Sequence, residues 1–252
     1  MRRRKRRQRV RLGSPAQVHD AVVDLWMTRA VLYTVEGELW LKSSNEVPPW
    51  LPQDEGLDRY IEDHELQVTH KDIKAVRRLL KKHLPRLERR AQSPTGIVFR
   101  NIQHLSSMAG LDDVDQAVLA FAVVAHTNDS IDEFFRNNTL SSIESVAAFL
   151  SKIFRVETSK LRQALNPKSN LTSSGLLELD LDRYSGFPLQ LRHGLENVLL
   201  REYETQDDLA AVFFRPSPEA TLTLDDFPHL GRKVHVAHQY LRAVCSQRTS
   251  GA

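Results

Sequence analysis

Residues 112–125 read DDVDQAVLAFAVVA, and this stretch determines how the rest of the chain is interpreted. Asp112 is a suitable N-cap, and the acidic residues that follow it favour the positive end of a helix dipole. Residues 117–125 are all apolar, so the helix has no face suited to water. We therefore expect a buried central helix. The apolar run is about half of the roughly 20 residues needed to cross a bilayer.

The flanking segments predict further helices packed on this centre. Residues 97–109 should form a helix that ends at Gly110, a suitable C′ residue. Ser141 and Glu144 have the capping-box spacing ahead of the apolar run VAAFLSKIF. The sequence thus predicts a mainly α, multi-helix fold with few short strands. Its core is expected to combine Leu119, Phe121 and Val123 with Phe149, Leu150 and Ile153.

The order of elements within residues 112–182 is typical of a winged helix. A helix to Ile153, a tight turn at residues 154–157, a helix over 158–165 and extended residues at 171–181 follow one another. If this unit bound DNA, Lys160, Arg162 and Gln163 would face it. The alternative is an ordinary small helical domain, because two cations are few for a DNA-reading helix.

The segmentation has four parts. Residues 1–14 form a basic disordered tail, 15–92 an N-terminal helical region with a Pro-rich loop at 43–58, 93–182 the helical core unit, and 183–252 a C-terminal helical segment. Residues 73–87 repeat apolar side chains at helical spacing, and Pro85 is expected to kink or restart that helix. The pattern of residues 31–41, VLYTVEGELWL, is ambiguous. One interpretation is a short hairpin that turns at Glu36-Gly37. Residues 189–200 are expected to be helical.

The net charge of +3 is unevenly distributed. Residues 1–12 contain eight Lys or Arg and no acid, so the rest of the chain is net acidic. Residues 71–90 contain nine Lys or Arg against two acids. Nucleic acid is a candidate partner for the tail, and the alternative is a solubilising extension. The tail residues expected to bind a polyanion are Arg2, Arg3, Arg4, Lys5, Arg6, Arg7, Arg9 and Arg11.

Motifs for catalysis and cofactor binding are missing from the sequence. There is no G-x-x-x-x-G-K-[ST], G-x-G-x-x-G or G-x-S-x-G, so no loop is predicted to cradle phosphates or present a nucleophile. His235 and His238 are three residues apart, but no third zinc ligand follows at a recognised spacing. We therefore predict no catalytic, cofactor-binding or metal-binding residue. The single cysteine and the lack of a signal peptide favour the cytoplasm.

Several short stretches in the second half of the chain carry a family resemblance. They are NLTSSGLL at 170–177, FRPSP at 214–218, LTLDDFPHL at 222–230 and YLR at 240–242. The series resembles the region ahead of the ATPase core in a group of bacterial AAA+ family ATPases, and it covers residues 97–252. None of these residues has a catalytic role in that family that can be carried over.

The resemblance implies a non-catalytic N-terminal region that recruits a protein partner or substrate for an ATPase core. ATP and magnesium would belong to that core, whose Walker motifs this chain lacks. The chain would then be a truncated product or fragment, and the gene should continue into the core. Two alternatives remain open: a winged-helix DNA-binding protein that uses the basic tail, and a stand-alone helical interaction module.

Overall fold

The computed structural model describes residues 21–43, 51, 57, 60–62, 65–66, 68–69, 72–92, 96–136, 140–181, 186–213 and 231–247. The chain divides into two compact units, Met1–Val212 and Phe213–Ala252. The described residues form helices and a few short strands, which confirms the predicted mainly α class. Within this part of the chain, no helix has both the length and the apolar character needed to cross a membrane.

The first half of the described chain contains six helices and a small sheet. They are α1 (Ala21–Tyr33), α2 (Val35–Ser43), β1 (Ile61–Glu62), β2 (Glu65–Leu66), α3 (Ile73–Arg90), α4 (Ile97–Ala109), α5 (Asp113–Thr127) and α6 (Asp129–Arg136). The second half contains α7 (Ile143–Phe154), α8 (Thr158–Ala164), α9 (Asn170–Ser173), β3 (Leu177–Leu179), β4 (Leu189–Leu191), α10 (Leu195–Leu199), α11 (Gln206–Phe213) and α12 (Arg232–Gln247). Both sheets are two-stranded and antiparallel, β1 with β2 and β3 with β4.

Helix α1 is largely buried within the first unit. Ten of its thirteen residues are buried, and it packs against α2, α3 and α7. The apolar stripe predicted for α3 is confirmed, because Ile73, Val76, Leu80, Leu84 and Leu87 are all buried. The expected restart at Pro85 is wrong, since α3 continues through it to Arg90.

The hairpin considered at Glu36-Gly37 is also wrong, because both residues lie within α2. Thr34 separates the two helices, and its hydroxyl accepts a hydrogen bond from the Gly37 N–H at 3.0 Å. A Cβ atom on Gly37 would lie 2.2 Å from the Ala30 oxygen and 2.4 Å from the Val31 Cα. The glycine therefore permits a close approach of α2 to α1 rather than a turn.

The predicted central helix is confirmed as α5. Asp112 accepts hydrogen bonds from the backbone N–H groups of Val114 and Asp115, and Asp115 completes the capping box. All six residues expected in the core are buried. Phe121 contacts Phe149 and Phe187, with ring centroids 6.3 and 5.2 Å apart. The structure adds Trp26 of α1, whose ring centroid is 5.7 Å from that of Phe121.

Three local predictions in the second half need correction. Residues 171–173, expected to be extended, belong to helix α9, and only Leu177–Leu179 of that stretch forms a strand. The cap of α7 is Ser142 paired with Ser145, one residue later than the predicted Ser141 and Glu144. Residues 189–200 are not one helix, because Leu189–Leu191 pairs with β3 and only Leu195–Leu199 is helical. The long-range strand pairing outweighs the local helical preference of this leucine-rich segment.

Candidate functional site

The turn between α7 and α8 is fixed by its own hydrogen bonds. Arg155 ends α7 in the left-handed conformation with φ 59°, and its N–H donates to the Ser151 oxygen at 3.0 Å. The Ser151 hydroxyl donates to the Val156 oxygen at 2.7 Å. These two hydrogen bonds join residues 155 and 156 to Ser151 near the end of α7. The direction in which α8 begins is therefore set by local structure.

Helix α8 presents the three residues that were predicted to face DNA. Leu161 and Ala164 are buried and anchor the helix, which packs against α5 and α7. Lys160, Arg162 and Gln163 are all exposed. Helical periodicity explains the result, because the buried pair occupies one face and leaves the polar side chains on the others.

The β3–β4 hairpin follows α8 and α9 in the chain and is joined to α5. Its register pairs Leu177 with Leu191 and Leu179 with Leu189. His126 of α5 lies with its Nε2 2.7 Å from the Leu189 oxygen. Sequence reasoning missed β4, although LEL and LQL share an alternating apolar pattern that is typical of paired strands.

A polar cleft of about 570 Å³ lies between α8 and the start of α5. Lys160, Gln163 and Lys168 line it together with Asp112, Asp113 and Asp115, whereas Arg162 is not in its lining. Burial raises the pKa of the Asp115 carboxyl, and the backbone N–H of Asp112 opposes this effect by donating a hydrogen bond to it. Carboxylates beside Lys160 would repel a phosphate, so this cleft is poorly suited to a polyanion.

A second cleft, of about 670 Å³, lies along the hairpin. Its lining includes Ile143, Leu165, Leu177, Leu179 and Leu191, with exposed Arg192 and His193 also contributing. Such a lining can accept an apolar side chain of a partner, and its charges are mixed, because the exposed Glu178 lines the cleft together with Arg192. This cleft was not predicted, because its walls come from separate elements, including α7, β3 and β4.

Helix α12 belongs to the second compact unit and exposes large apolar side chains. Val236, Tyr240 and Leu241 are 60%, 66% and 60% exposed. His235 hydrogen-bonds with Gln239, with the two Nε2 atoms 3.0 Å apart. In the part of the chain that the structure describes, no three His, Cys, Asp or Glu residues are grouped so as to hold a metal ion.

The predicted polyanion-binding residues of the tail, Arg2 to Arg11, lie outside the described residues. Comparison of the chain with protein-family models, with curated proteins and with solved structures finds no match.

Proposed function

We propose that the chain is the non-catalytic N-terminal region of an AAA+ ATPase, which recruits a protein partner or substrate for the ATPase core. The observation that carries this proposal is the exposed apolar surface of α12. Val236 and Tyr240 are four residues apart and share a helical face, whereas Leu241 lies about 100° around the helix from Tyr240. Adjacent exposed apolar side chains of this size are typical of a surface that packs against another domain. On the resemblance, this segment would come directly ahead of the ATPase core.

The cleft along the β3–β4 hairpin supports a recruiting role for the first unit. Leu179 and Leu191 are half-buried, so an incoming apolar side chain would cover them further. The exposed Arg192 and Glu178 that also line the cleft have opposite charges, so the lining does not select a charge in the partner. The proposed partner is therefore a protein segment with apolar side chains.

The nucleotide sequence after codon 252 tests the connection to an ATPase core. We expect an apolar, strand-like run followed by G-x-x-x-x-G-K-[ST] within about 20 codons, in the same or a neighbouring reading frame. Unrelated coding sequence or intergenic DNA in all frames would contradict the proposal and leave a stand-alone interaction module.

Calorimetry with ATP and magnesium tests whether nucleotide binding belongs to the ATPase core and not to this chain. The chain alone is expected to show no binding at micromolar nucleotide, because its sequence has no phosphate-cradling loop. The product extended through the core is expected to bind. Micromolar ATP binding by the 252-residue chain would contradict the non-catalytic assignment.

A winged-helix DNA-binding protein is the second candidate. The order of elements from α5 to β4 supports it, and within this stretch α8 packs against both α5 and α7. The carboxylates of Asp112 and Asp113, which line the same cleft as Lys160, count against it. Replacing Lys160, Arg162 and Gln163 with alanine should abolish DNA binding if α8 reads DNA, and should leave it unchanged if it does not.

A further inference from the structure

The outer face of α3 is almost entirely cationic. Eight of its residues are exposed, and all of them except Pro85 are Lys or Arg. We call these residues the basic face: Lys74, Arg78, Lys81, Lys82, Arg86, Arg89 and Arg90. α3 is described in full, and none of its exposed positions carries an acid.

Two carboxylates in the described part of the chain pair with cations outside the basic face. Glu88 accepts from Arg29 at 3.0 Å and from Arg155 at 2.7 Å, both outside the basic face. Glu38 of α2 pairs with Arg77 and Lys42. Within the described chain, no ion pair joins a carboxylate to five members of the basic face: Lys74, Arg78, Lys81, Lys82 and Arg90.

Packing holds the basic face in a fixed line. The opposite side of α3 is buried, including Val76 and Leu80 at 0% exposure, and it packs against α1. Along the outer side, Lys74, Arg78 and Lys82 follow one another at intervals of four residues, a spacing at which like charges repel. Because this arrangement does not stabilise the helix, its charges are best accounted for by an external anion.

We propose that the basic face of α3 binds the phosphate backbone of duplex nucleic acid. From Lys74 to Arg90 the helix extends about 24 Å, and that length of B-form duplex carries on the order of 14 phosphate charges. Apart from Pro85, every exposed position is Lys or Arg, a composition suited to many phosphate contacts, so the proposed contact is to the backbone.

The alternative polyanion, an anionic membrane surface, fits α3 less well. A helix that lies on a membrane inserts an apolar face into the lipid, and the apolar face of α3 is already buried in the protein. None of the exposed positions of α3 carries a large apolar side chain. This proposal concerns a site other than α8, and it holds with or without an ATPase core.

The test compares charge removal from the basic face with charge removal elsewhere in the full chain. Fluorescence anisotropy with a labelled duplex of about 20 base pairs gives Kd over a range of salt concentrations. The K74Q/R78Q/K81Q/K82Q variant removes four charges from the basic face. We expect its Kd at low salt to rise at least about tenfold and its salt slope to fall by about 2–4, since each lost phosphate contact removes roughly 0.9.

The matched control is R100Q/R136Q/K152Q/K168Q, which removes the same charge from exposed positions on α4, α6, α7 and the segment after α8. It is expected to keep Kd within about twofold of the unsubstituted chain. The variant K74R/R78K/K81R/K82R keeps every charge and should also bind normally. Thermal unfolding of each variant confirms that any loss of binding is not a loss of fold.

Three outcomes overturn the proposal. One is unchanged duplex binding by the basic-face variant, and another is an equal or greater loss in the control. The third is binding to vesicles containing about 30% anionic lipid without measurable duplex binding, which would assign the basic face to a membrane surface.

Discussion

The guanidinium of Arg29 on α1 donates a hydrogen bond to the carboxylate of Glu88 on α3, with Nη2 and Oε1 3.0 Å apart. The same guanidinium donates through Nη1 to the Ile153 oxygen of α7 at 2.9 Å. Arg155 contacts the Glu88 carboxylate from the solvent side. One buried arginine therefore connects the three helices α1, α3 and α7.

Replacing Glu88 with alanine should destabilise the protein substantially. The Arg29 side chain is only 10% exposed, so it would keep a buried charge without its carboxylate. We expect the free energy of unfolding in urea to fall by about 2–4 kcal/mol. Arg155→Ala is the control, because its side chain is 51% exposed and its loss should change stability by less than about 1 kcal/mol. Equal losses for the two variants would contradict this account.

The core around Phe121 gives a second prediction. Leu119→Ala and Phe149→Ala each remove a buried side chain and should lower the free energy of unfolding by about 2–5 kcal/mol. Lys152→Ala, on the exposed side of α7, should change it by less than about 0.5 kcal/mol. Losses below that value for both core variants would show that the core lies elsewhere.

Gly37→Ala should destabilise the contact between α1 and α2, although alanine is the better helix former. The added methyl group would meet backbone atoms of Ala30 and Val31, which cannot rotate away as a side chain can. We expect a loss of about 2–3 kcal/mol in chemical unfolding. Val35→Ala, on an exposed position of the same helix, serves as the control and should be nearly neutral. A more stable Gly37→Ala variant would rule out the close approach.

Asp115 should make stability dependent on pH. Burial raises the pKa of this carboxyl in the folded protein, so the folded state binds more protons than the unfolded state above the ordinary pKa. Its contribution to stability therefore falls as pH rises from the ordinary pKa through the raised one. Asp115→Asn keeps an acceptor for the Asp112 N–H and removes the ionisation.

The Asn variant is thus expected to be more stable than the original chain at about pH 7. At about pH 3, where the carboxyl is protonated, the two should unfold at similar temperatures. Thermal melts at both pH values provide the measurement. Lower stability of the variant at neutral pH would mean that the charged cap of α5 outweighs the burial of the carboxylate.

The sequence pattern was enough to predict those helices whose buried side chains recur at helical spacing or fill a continuous apolar run. The α3 stripe and the all-apolar α5 need only their own sequences to be recognised. Gly37 and Leu189 were misread because their roles depend on partners elsewhere in the chain. The glycine is required by the α1 backbone, and Leu189 is held in a strand by Leu179 and by His126.

For the candidate sites too, the sequence pattern predicts exposure but not the contacts with residues that are distant in sequence. Helical period alone was enough to expect Lys160 and Arg162 at the surface. The acidic wall opposite Lys160 comes from Asp112, which is far away in sequence and adjacent only after folding. The charge of residues 71–90 is visible in the sequence. That its cations share one exposed face, while Glu88 is directed to Arg29, follows only from the tertiary packing.

The connection from Arg29 to Ile153 has a consequence for biosynthesis. The two residues are 124 positions apart, so at about 5–20 residues per second the ribosome adds Ile153 roughly 6–25 s after Arg29. During that interval α1 can meet α2 and then α3, but the surface that α7 will cover stays open. Trp26 belongs to that surface, since its ring lies 5.1 Å from that of Phe154. The nascent chain therefore passes through a stage at which an apolar helix is available to a chaperone before its final partner has been made.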